Sequence, residues 1–193
     1  MMSKDRRPGL ILLLWCLGAC PALAGSGPVA VGQRLPNVTL RPLNGPQRSL
    51  GMYRGRPLII NVWASWCGPC QEEMASLERL AWRDEGRAFA IIGISTDDDP
   101  APALASLRRA RATVSQFIDS GQQLESLLGA SRIPLTVLVD AQGRILRRVY
   151  GSQQWDSPEI LKLLNDTFST HELRQTRASV LPQGEDRVKG LLR

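Results

Sequence analysis

The chain has 193 residues, of which 43% are apolar and 22% are charged, and its formal net charge is +6. This length and composition predict one compact domain with a sizeable hydrophobic core. The arginines are scattered and lack interleaved aromatic residues, so the positive charge indicates an arginine-rich surface rather than nucleic-acid binding.

The first 24 residues have the organisation of an export signal. Three basic residues among the first seven precede an apolar run over residues 10–17, which is too short for a comfortable membrane span. Two processing events remain open: cleavage after Ala24, which follows a small-x-small pattern, or lipidation of Cys20 in a lipobox-like sequence. We therefore expect an exported, periplasmic protein that is either soluble or tethered to a membrane at its N terminus.

A flexible lead and a β-hairpin are predicted next. Residues 25–34 are small and polar, which is typical of a flexible lead. Two short strands over 35–40 and 47–50 flank the turn Asn44-Gly45-Pro46 and predict a hairpin at the start of the domain. The continuous apolar run from Leu58 to Trp63 then predicts a buried strand.

The stretch Trp66-Cys67-Gly68-Pro69-Cys70 follows this strand directly. Two cysteines separated by two residues can close a disulfide, and a helix that begins at Gly68 places Cys67 beside unsatisfied backbone N–H groups. The positive end of the helix dipole stabilises a thiolate there, so an exposed Cys67 is the predicted nucleophile and Cys70 the resolving partner. A zinc site would need a second pair of ligands, and outside the export signal the chain offers only His171, so no metal is predicted.

The longer sequence from Asn61 to Met74 resembles the TlpA/ResA group of extracytoplasmic thioredoxin-like proteins, to which cytochrome c maturation thioredoxins belong. The resemblance covers residues 35–168 and implies an α/β thioredoxin-like fold. Such a fold has a mixed sheet flanked by helices, an N-terminal β-hairpin and a central αβ insertion, and it needs no cofactor. The family usually has a proline in the active-site helix where this chain has Ala75, so a straighter helix is expected.

The rest of the domain is predicted as helices and strands in alternation, ending in a hairpin and a last helix: helix 69–84, strand 88–94, helix 101–111, strand 113–119, helix 122–128, hairpin strands 135–140 and 145–150, and helix 155–168. The second helix and the strand after it resemble the family's central insertion. The acidic run Asp97-Asp98-Asp99 is interpreted as the start of a helix rather than as a metal site. Residues 169–193 are predicted to form a mobile C-terminal tail.

The resemblance also implies a surface that holds the client. Ile133 and Pro134 lie where thioredoxin-like proteins carry a cis-proline loop that faces the cysteine pair. A cis bond there leaves the backbone of Ile133 free to pair with an extended segment of the client. Trp66 is expected to shield one side of the pair.

Proton transfer is assigned to Glu73. Thioredoxin has a buried aspartate at the position of Asn61, and asparagine cannot accept a proton. Glu73 matches the buried active-site glutamate of ResA-like proteins, and burial would raise its pKa so that it could exchange a proton near neutral pH. The predicted catalytic residues are therefore Cys67, Cys70 and Glu73, and the predicted substrate-binding residues are Trp66, Ile133 and Pro134.

These features predict a periplasmic thiol-disulfide oxidoreductase. The Gly-Pro pair between the cysteines resembles reducing thioredoxins, which indicates a reductase of protein disulfides, with apocytochromes c or copper-site cysteines as possible clients. Such a reductase needs electrons from a membrane thiol transporter of the DsbD or CcdA kind. The alternative is a copper-binding metallochaperone that uses the cysteine pair without turnover.

Overall fold

A seven-stranded mixed sheet organises the part of the chain that the computed structural model describes, residues 27–84 and 88–180. The elements in chain order are β1 (Thr39–Pro42), β2 (Arg48–Ser49), a 3₁₀ turn (Leu50–Tyr53), β3 (Leu58–Trp63), α1 (Gly68–Asp84), β4 (Ala90–Ser95), α2 (Pro100–Ala110), β5 (Ser115–Ile118), α3 (Gln123–Leu128), β6 (Leu135–Val139), β7 (Ile145–Tyr150) and α4 (Pro158–Val180). The strand order is β2-β1-β5-β4-β3-β6-β7, in which β3, β4 and β5 are parallel and the other neighbours antiparallel. The predicted N-terminal hairpin and the mixed sheet flanked by helices are confirmed.

Strand β3 lies in the middle of the sheet, and all six of its residues are buried. Successive side chains of a strand point to opposite faces. Ile60 therefore packs in the core on one face, whereas Ile59 packs on the other face against Leu77 and Leu80 of α1. Asn61 shares the face of Ile59, so this polar side chain lies beneath α1.

The described part of the lead predicted over 25–34 is paired with the domain through backbone hydrogen bonds, and its flexibility stays a prediction. The backbone N–H of Val29 donates to the carbonyl of Leu127 at 3.0 Å, and that of Gly32 donates to the carbonyl of Ile145 at 2.7 Å. Backbone groups can pair whatever the side chains are, which is why small and polar residues gave no signal.

Helix α4 continues to Val180, beyond the end predicted at Phe168. Helical structure therefore extends into the predicted tail, while the mobility of residues 169–193 stays a prediction. Residues 181–193, like the predicted export signal, lie outside the described residues. The apolar spacing that predicted this helix runs from Ile160 to Phe168, and the following residues, which are mostly polar, gave no such signal.

The described helices include none that is long and apolar enough to cross a membrane.

Gly93 of β4 provides a test of the core, because a side chain from β5 covers it. The Gln116 Oε1 atom accepts a hydrogen bond from Trp63 Nε1 at 3.0 Å, and a Cβ atom added at Gly93 would lie 1.8 Å from that oxygen. We expect Gly93→Ala to lower the free energy of unfolding by about 2 to 3 kcal/mol, because it overpacks the core and breaks a buried hydrogen bond. Urea denaturation measures the change. The control is Gly121→Ala, where no atom lies within 4 Å of the new Cβ, and equal stability of the two variants would contradict the prediction.

Candidate active site

Cys67 and Cys70 form a disulfide at the start of α1. The backbone N–H of Cys70 points at the Cys67 sulfur, with a nitrogen-to-sulfur distance of 3.2 Å, which places that sulfur at the helix N-terminus as predicted. The expectation of an exposed pair is wrong for this disulfide form: Cys67 is 6% exposed and Cys70 1%, because both pack among residues such as Trp63 and Met74. Cys67 is still the more accessible sulfur-bearing residue, in keeping with its predicted role as nucleophile.

The loop that presents the cysteines is anchored by Asp97, whose residue is 6% exposed. One carboxylate oxygen accepts from the Ser65 backbone N–H at 2.9 Å, and the other accepts from the Ser65 hydroxyl at 2.6 Å. The Ser95 hydroxyl donates to the same carboxylate at 2.6 Å, and the Gln71 side-chain amide donates to the Ser65 carbonyl. Asp97 and Gln71 therefore fix the backbone immediately before Trp66 and Cys67.

Sequence reasoning missed this role, because it assigned the whole run Asp97-Asp98-Asp99 to the start of α2. Asp99 does cap that helix, and its carboxylate accepts from the Ala101 N–H at 2.9 Å. Asp97 instead points inward. A signal was present, since Asp97 follows the end of β4, and the carboxyl ends of the parallel strands β3 and β4 lie side by side.

Glu73 is 1% exposed, and its carboxylate is held from three directions. Asn61 Nδ2 donates to Oε1 at 2.7 Å, while the Gln153 backbone N–H and Trp155 Nε1 each donate to Oε2 at 3.0 Å. Asn61 Nδ2 also donates to the Thr136 hydroxyl at 3.1 Å. The sheet, α1 and the segment before α4 therefore meet at this one carboxyl group.

Burial raises the pKa of the Glu73 carboxyl above its ordinary value of 4.5, against the hydrogen bonds from Trp155, Gln153 and Asn61, which lower it. Glu73 lies on the helical turn that follows Cys70. Its role in proton transfer stays a prediction. A dithiol beside such a group is suited to disulfide exchange. Among the described residues, no group of three or more His, Cys, Asp or Glu side chains could hold a metal ion.

The contact of Trp155 with Glu73 was also not predicted from the sequence. Trp155 was interpreted only as the first residue of the last helix. Its side chain is fully buried, and its backbone N–H donates to the Ser76 hydroxyl at 3.0 Å. The next residue, Asp156, forms a bidentate ion pair with Arg79 of α1, and this hydrogen bonding lowers the pKa of Asp156 to about 2. The only sequence signal was that a buried indole N–H needs an acceptor.

The predicted client surface lies beside the cysteines. The Ile133–Pro134 peptide bond is cis, which confirms the prediction, and Ile133 packs against the cluster that contains both cysteines. Trp66 is 72% exposed, and together with Ile133 it lines a cavity of about 360 Å³. Arg132 stacks over the Tyr150 ring at 4.8 Å from its centre, at the edge of the same loop. Client binding by Trp66, Ile133 and Pro134 stays a prediction.

The Redoxin family profile matches residues 30–164 of the chain. The thiol-disulfide oxidoreductase ResA of Bacillus thuringiensis (strain Al Hakam) is 24% identical over 123 residues, which cover 64% of this chain and 71% of that protein. ResA of Bacillus subtilis (strain 168) is 23% identical over 159 residues, covering 78% and 89%. A Chlorobium tepidum protein described as a thiol:disulfide interchange protein DsbE superposes with a TM-score of 0.66 at 22% identity, covering 72% of this chain and 98% of that one. That last likeness establishes the thioredoxin-like fold.

Replacing Asp97 should impair exchange chemistry. In Asp97→Ala, Ser65 loses both of its bonds to the carboxylate, and the loop that presents Cys67 is released. We expect the second-order rate constant for reduction of a disulfide substrate to fall about ten- to hundredfold, the scale on which misplacement of a reacting group acts. Stopped-flow kinetics measures this rate. The control is Asp99→Ala, which should lower the stability by about 1 kcal/mol through the lost helix cap and leave the rate unchanged. Equal rates in the two variants would contradict the role given to Asp97.

Glu73 should make the stability of the oxidised protein depend on pH. Because burial raises the folded-state pKa above 4.5, the folded protein binds this proton more tightly than the unfolded chain does. The resulting stabilisation is fully present below pH 4.5 and is lost as the pH rises through the raised pKa. The free energy of unfolding of the wild type minus that of Glu73→Gln should therefore fall with rising pH, by at most about 1.4 kcal/mol per pH unit.

Urea denaturation of the oxidised proteins between about pH 4 and pH 8 measures this difference. Glu72→Gln, which changes the exposed neighbour on α1, should keep the profile of the wild type. Parallel profiles for the wild type and Glu73→Gln would show that Glu73 has the same pKa in both states.

Proposed function

Since this chain belongs to the Redoxin family, we propose that it is an exported protein-disulfide reductase that works through Cys67 and Cys70. Thiol-disulfide oxidoreduction is the activity named for its ResA relatives. The single observation that carries the proposal is the Cys67–Cys70 disulfide at the N-terminus of α1, one turn before the buried Glu73.

The first step is attack by Cys67. In the reduced protein its thiolate, favoured by the helix N-terminus and by the Cys70 N–H, displaces one sulfur of a client disulfide. The client S–S bond breaks, a mixed disulfide forms between Cys67 and the client, and the released client thiolate takes up a proton. The backbone of Ile133 beside the cis-proline would hold the client segment in line for this attack.

The second step releases the client. Cys70 loses its proton to Glu73, attacks the Cys67 sulfur and displaces the second client thiolate, which takes up a proton in turn. Two electrons have then passed to the client, and Cys67 and Cys70 are left as the disulfide. Asn61, Gln153 and Trp155 hold the Glu73 carboxyl in place through this transfer.

The direction of electron flow is inferred from the residues between the cysteines. Gly68 and Pro69 match reducing thioredoxins, and the gap to the strongly oxidising periplasmic type is about 150 mV, or about 7 kcal/mol. A reductase outside the cytoplasm must be re-reduced, for which a membrane thiol transporter of the DsbD or CcdA kind is the fitting partner. Apocytochromes c and copper-site cysteines are the fitting clients.

The export part of the proposal is supported by the basic and apolar composition of the first 24 residues. Cleavage after Ala24 removes Cys20, and lipidation would block its sulfur, so either event would leave Cys67 and Cys70 as the only free cysteines of the mature chain. A single pair of closely spaced cysteines in an oxidising compartment is more typical of a redox-active dithiol than of a structural disulfide.

The test combines turnover, trapping and reduction potential. We expect the wild type to accelerate reduction of insulin by dithiothreitol, Cys67→Ser to be inactive, and Cys70→Ser to accumulate a mixed disulfide with the client. In the reduced wild type, iodoacetamide should modify Cys67 faster than an unperturbed thiol. The reduction potential should lie closer to about −270 mV than to about −120 mV.

Each part of the proposal is tested by a separate measurement. A potential near about −120 mV would refute the reductase direction and keep the exchange chemistry. Slow alkylation of Cys67 would refute its role as nucleophile. Absence of turnover together with stoichiometric binding of copper to the reduced protein would instead support a metallochaperone.

A further inference from the structure

A second cavity, of about 540 Å³, lies at the end of the sheet opposite the cysteines. It is bordered by Ala90 and Ser115, which begin β4 and β5, whereas Cys67 follows the carboxyl end of the parallel strand β3. Its volume is within the range of small-molecule sites. Nothing in the proposed exchange reaction uses it.

The cavity joins an apolar wall to a cationic one. Trp82 and Phe89 belong to the apolar wall, and Trp82 is 68% exposed, which is unusual for so large an apolar side chain. Arg48, Arg56 and Tyr53 supply the polar wall, and no acidic residue is among the described lining residues. This combination suits a ligand that has an apolar body and a negative charge.

Two buried polar atoms of this polar wall lack a well-formed hydrogen bond. Among the described residues, Arg48 Nε and the Tyr53 hydroxyl are the only buried side-chain polar atoms of this kind, Tyr53 is only 8% exposed, and the Ser115 side chain interacts with its hydroxyl. Buried polar groups are nearly always paired, so the unpaired Arg48 Nε indicates a missing acceptor at this wall. Both can donate a hydrogen, and a carboxylate offers one oxygen to each.

The residues that act on the Tyr53 phenol also line the cavity. Burial raises the pKa of Tyr53, while the charges of Arg48 and Arg56 and a hydrogen bond with the Ser115 side chain act in the opposite direction. Arg48, Arg56 and Ser115 are all lining residues. The two arginines are therefore the groups of this wall that attract a negative charge.

We propose that this cavity binds a small organic carboxylate with an apolar body, held by Arg48 and Tyr53 at its charged end and by Trp82 and Phe89 along its apolar part. Arg48 Nε and the Tyr53 hydroxyl are screened from solvent, so the flexible Arg48 side chain has to turn slightly for the ligand to reach them. The site is independent of the redox pair, which lies at the other end of the sheet.

The test uses 3-phenylpropionate as the probe and its neutral amide, 3-phenylpropanamide, as the matched ligand. Binding to the full chain is followed by NMR through the indole N–H signal of Trp82, which is assigned with Trp82→Phe. We expect a saturable shift of this signal with the acid and at least tenfold weaker binding of the amide. The indole signal of Trp66, beside the cysteines, should not move.

Matched variants identify the residues that hold the carboxylate. Arg48→Gln should weaken binding of the acid at least tenfold, and Tyr53→Phe, which keeps the buried ring, should weaken it several-fold. Arg41→Gln removes the same charge from an exposed position on the neighbouring strand β1 and should bind like the wild type. Insulin reduction by Arg48→Gln should be unchanged, which separates this site from the redox reaction.

Three outcomes would overturn the proposal. Equal affinity for the acid and the amide would show that no charge is recognised. Equal affinity of Arg48→Gln and Arg41→Gln, in variants shown by circular dichroism to be folded, would remove the proposed anion site. A shift confined to Trp66, or no saturable shift at all, would show that the cavity does not bind the probe.

Discussion

The structure of the redox site depends on one buried carboxyl group. Glu73 lies on α1 with almost no exposure, yet each of its oxygens has a donor. Burial of a charged carboxylate without partners would be strongly unfavourable, so the donors determine where α1 can lie. Because they come from β3 and from the segment before α4, the placement of the Cys67–Cys70 pair depends on parts of the chain that are far apart in sequence.

A second buried carboxylate, that of Asp97, holds the other side of the motif. Glu73 fixes the helix after the cysteines, and Asp97 fixes Ser65 before them. The two acids therefore secure the backbone on both sides of the disulfide, where a small displacement would spoil the in-line geometry that exchange requires. Trp66, which lies between Ser65 and Cys67, can thus stay exposed at the surface while its backbone neighbours are fixed.

Local patterns predicted much of this arrangement. The apolar run Leu58 to Trp63 and the cysteines that follow it were sufficient for β3, for the start of α1 and for the disulfide, because those signals lie within a few residues of one another. The contacts of Trp155 and Gln153 with Glu73 span about eighty residues and leave no periodic trace. The role of Asp97 could not be predicted for a different reason. The sequence does not distinguish three adjacent aspartates, and only the fold shows which of them is buried.

Asn61 shows how a substitution at a catalytic position can move the acid rather than remove it. Thioredoxin has its buried aspartate on the strand, whereas this chain has an amide there and a carboxyl on the facing helix. The Asn61 amide donates to Glu73 and to Thr136, so it favours the ionised form of Glu73, while burial favours the neutral form. Burial is the stronger of these two influences, so the pKa of Glu73 lies above its ordinary value, as expected for the proton-transfer role proposed for it.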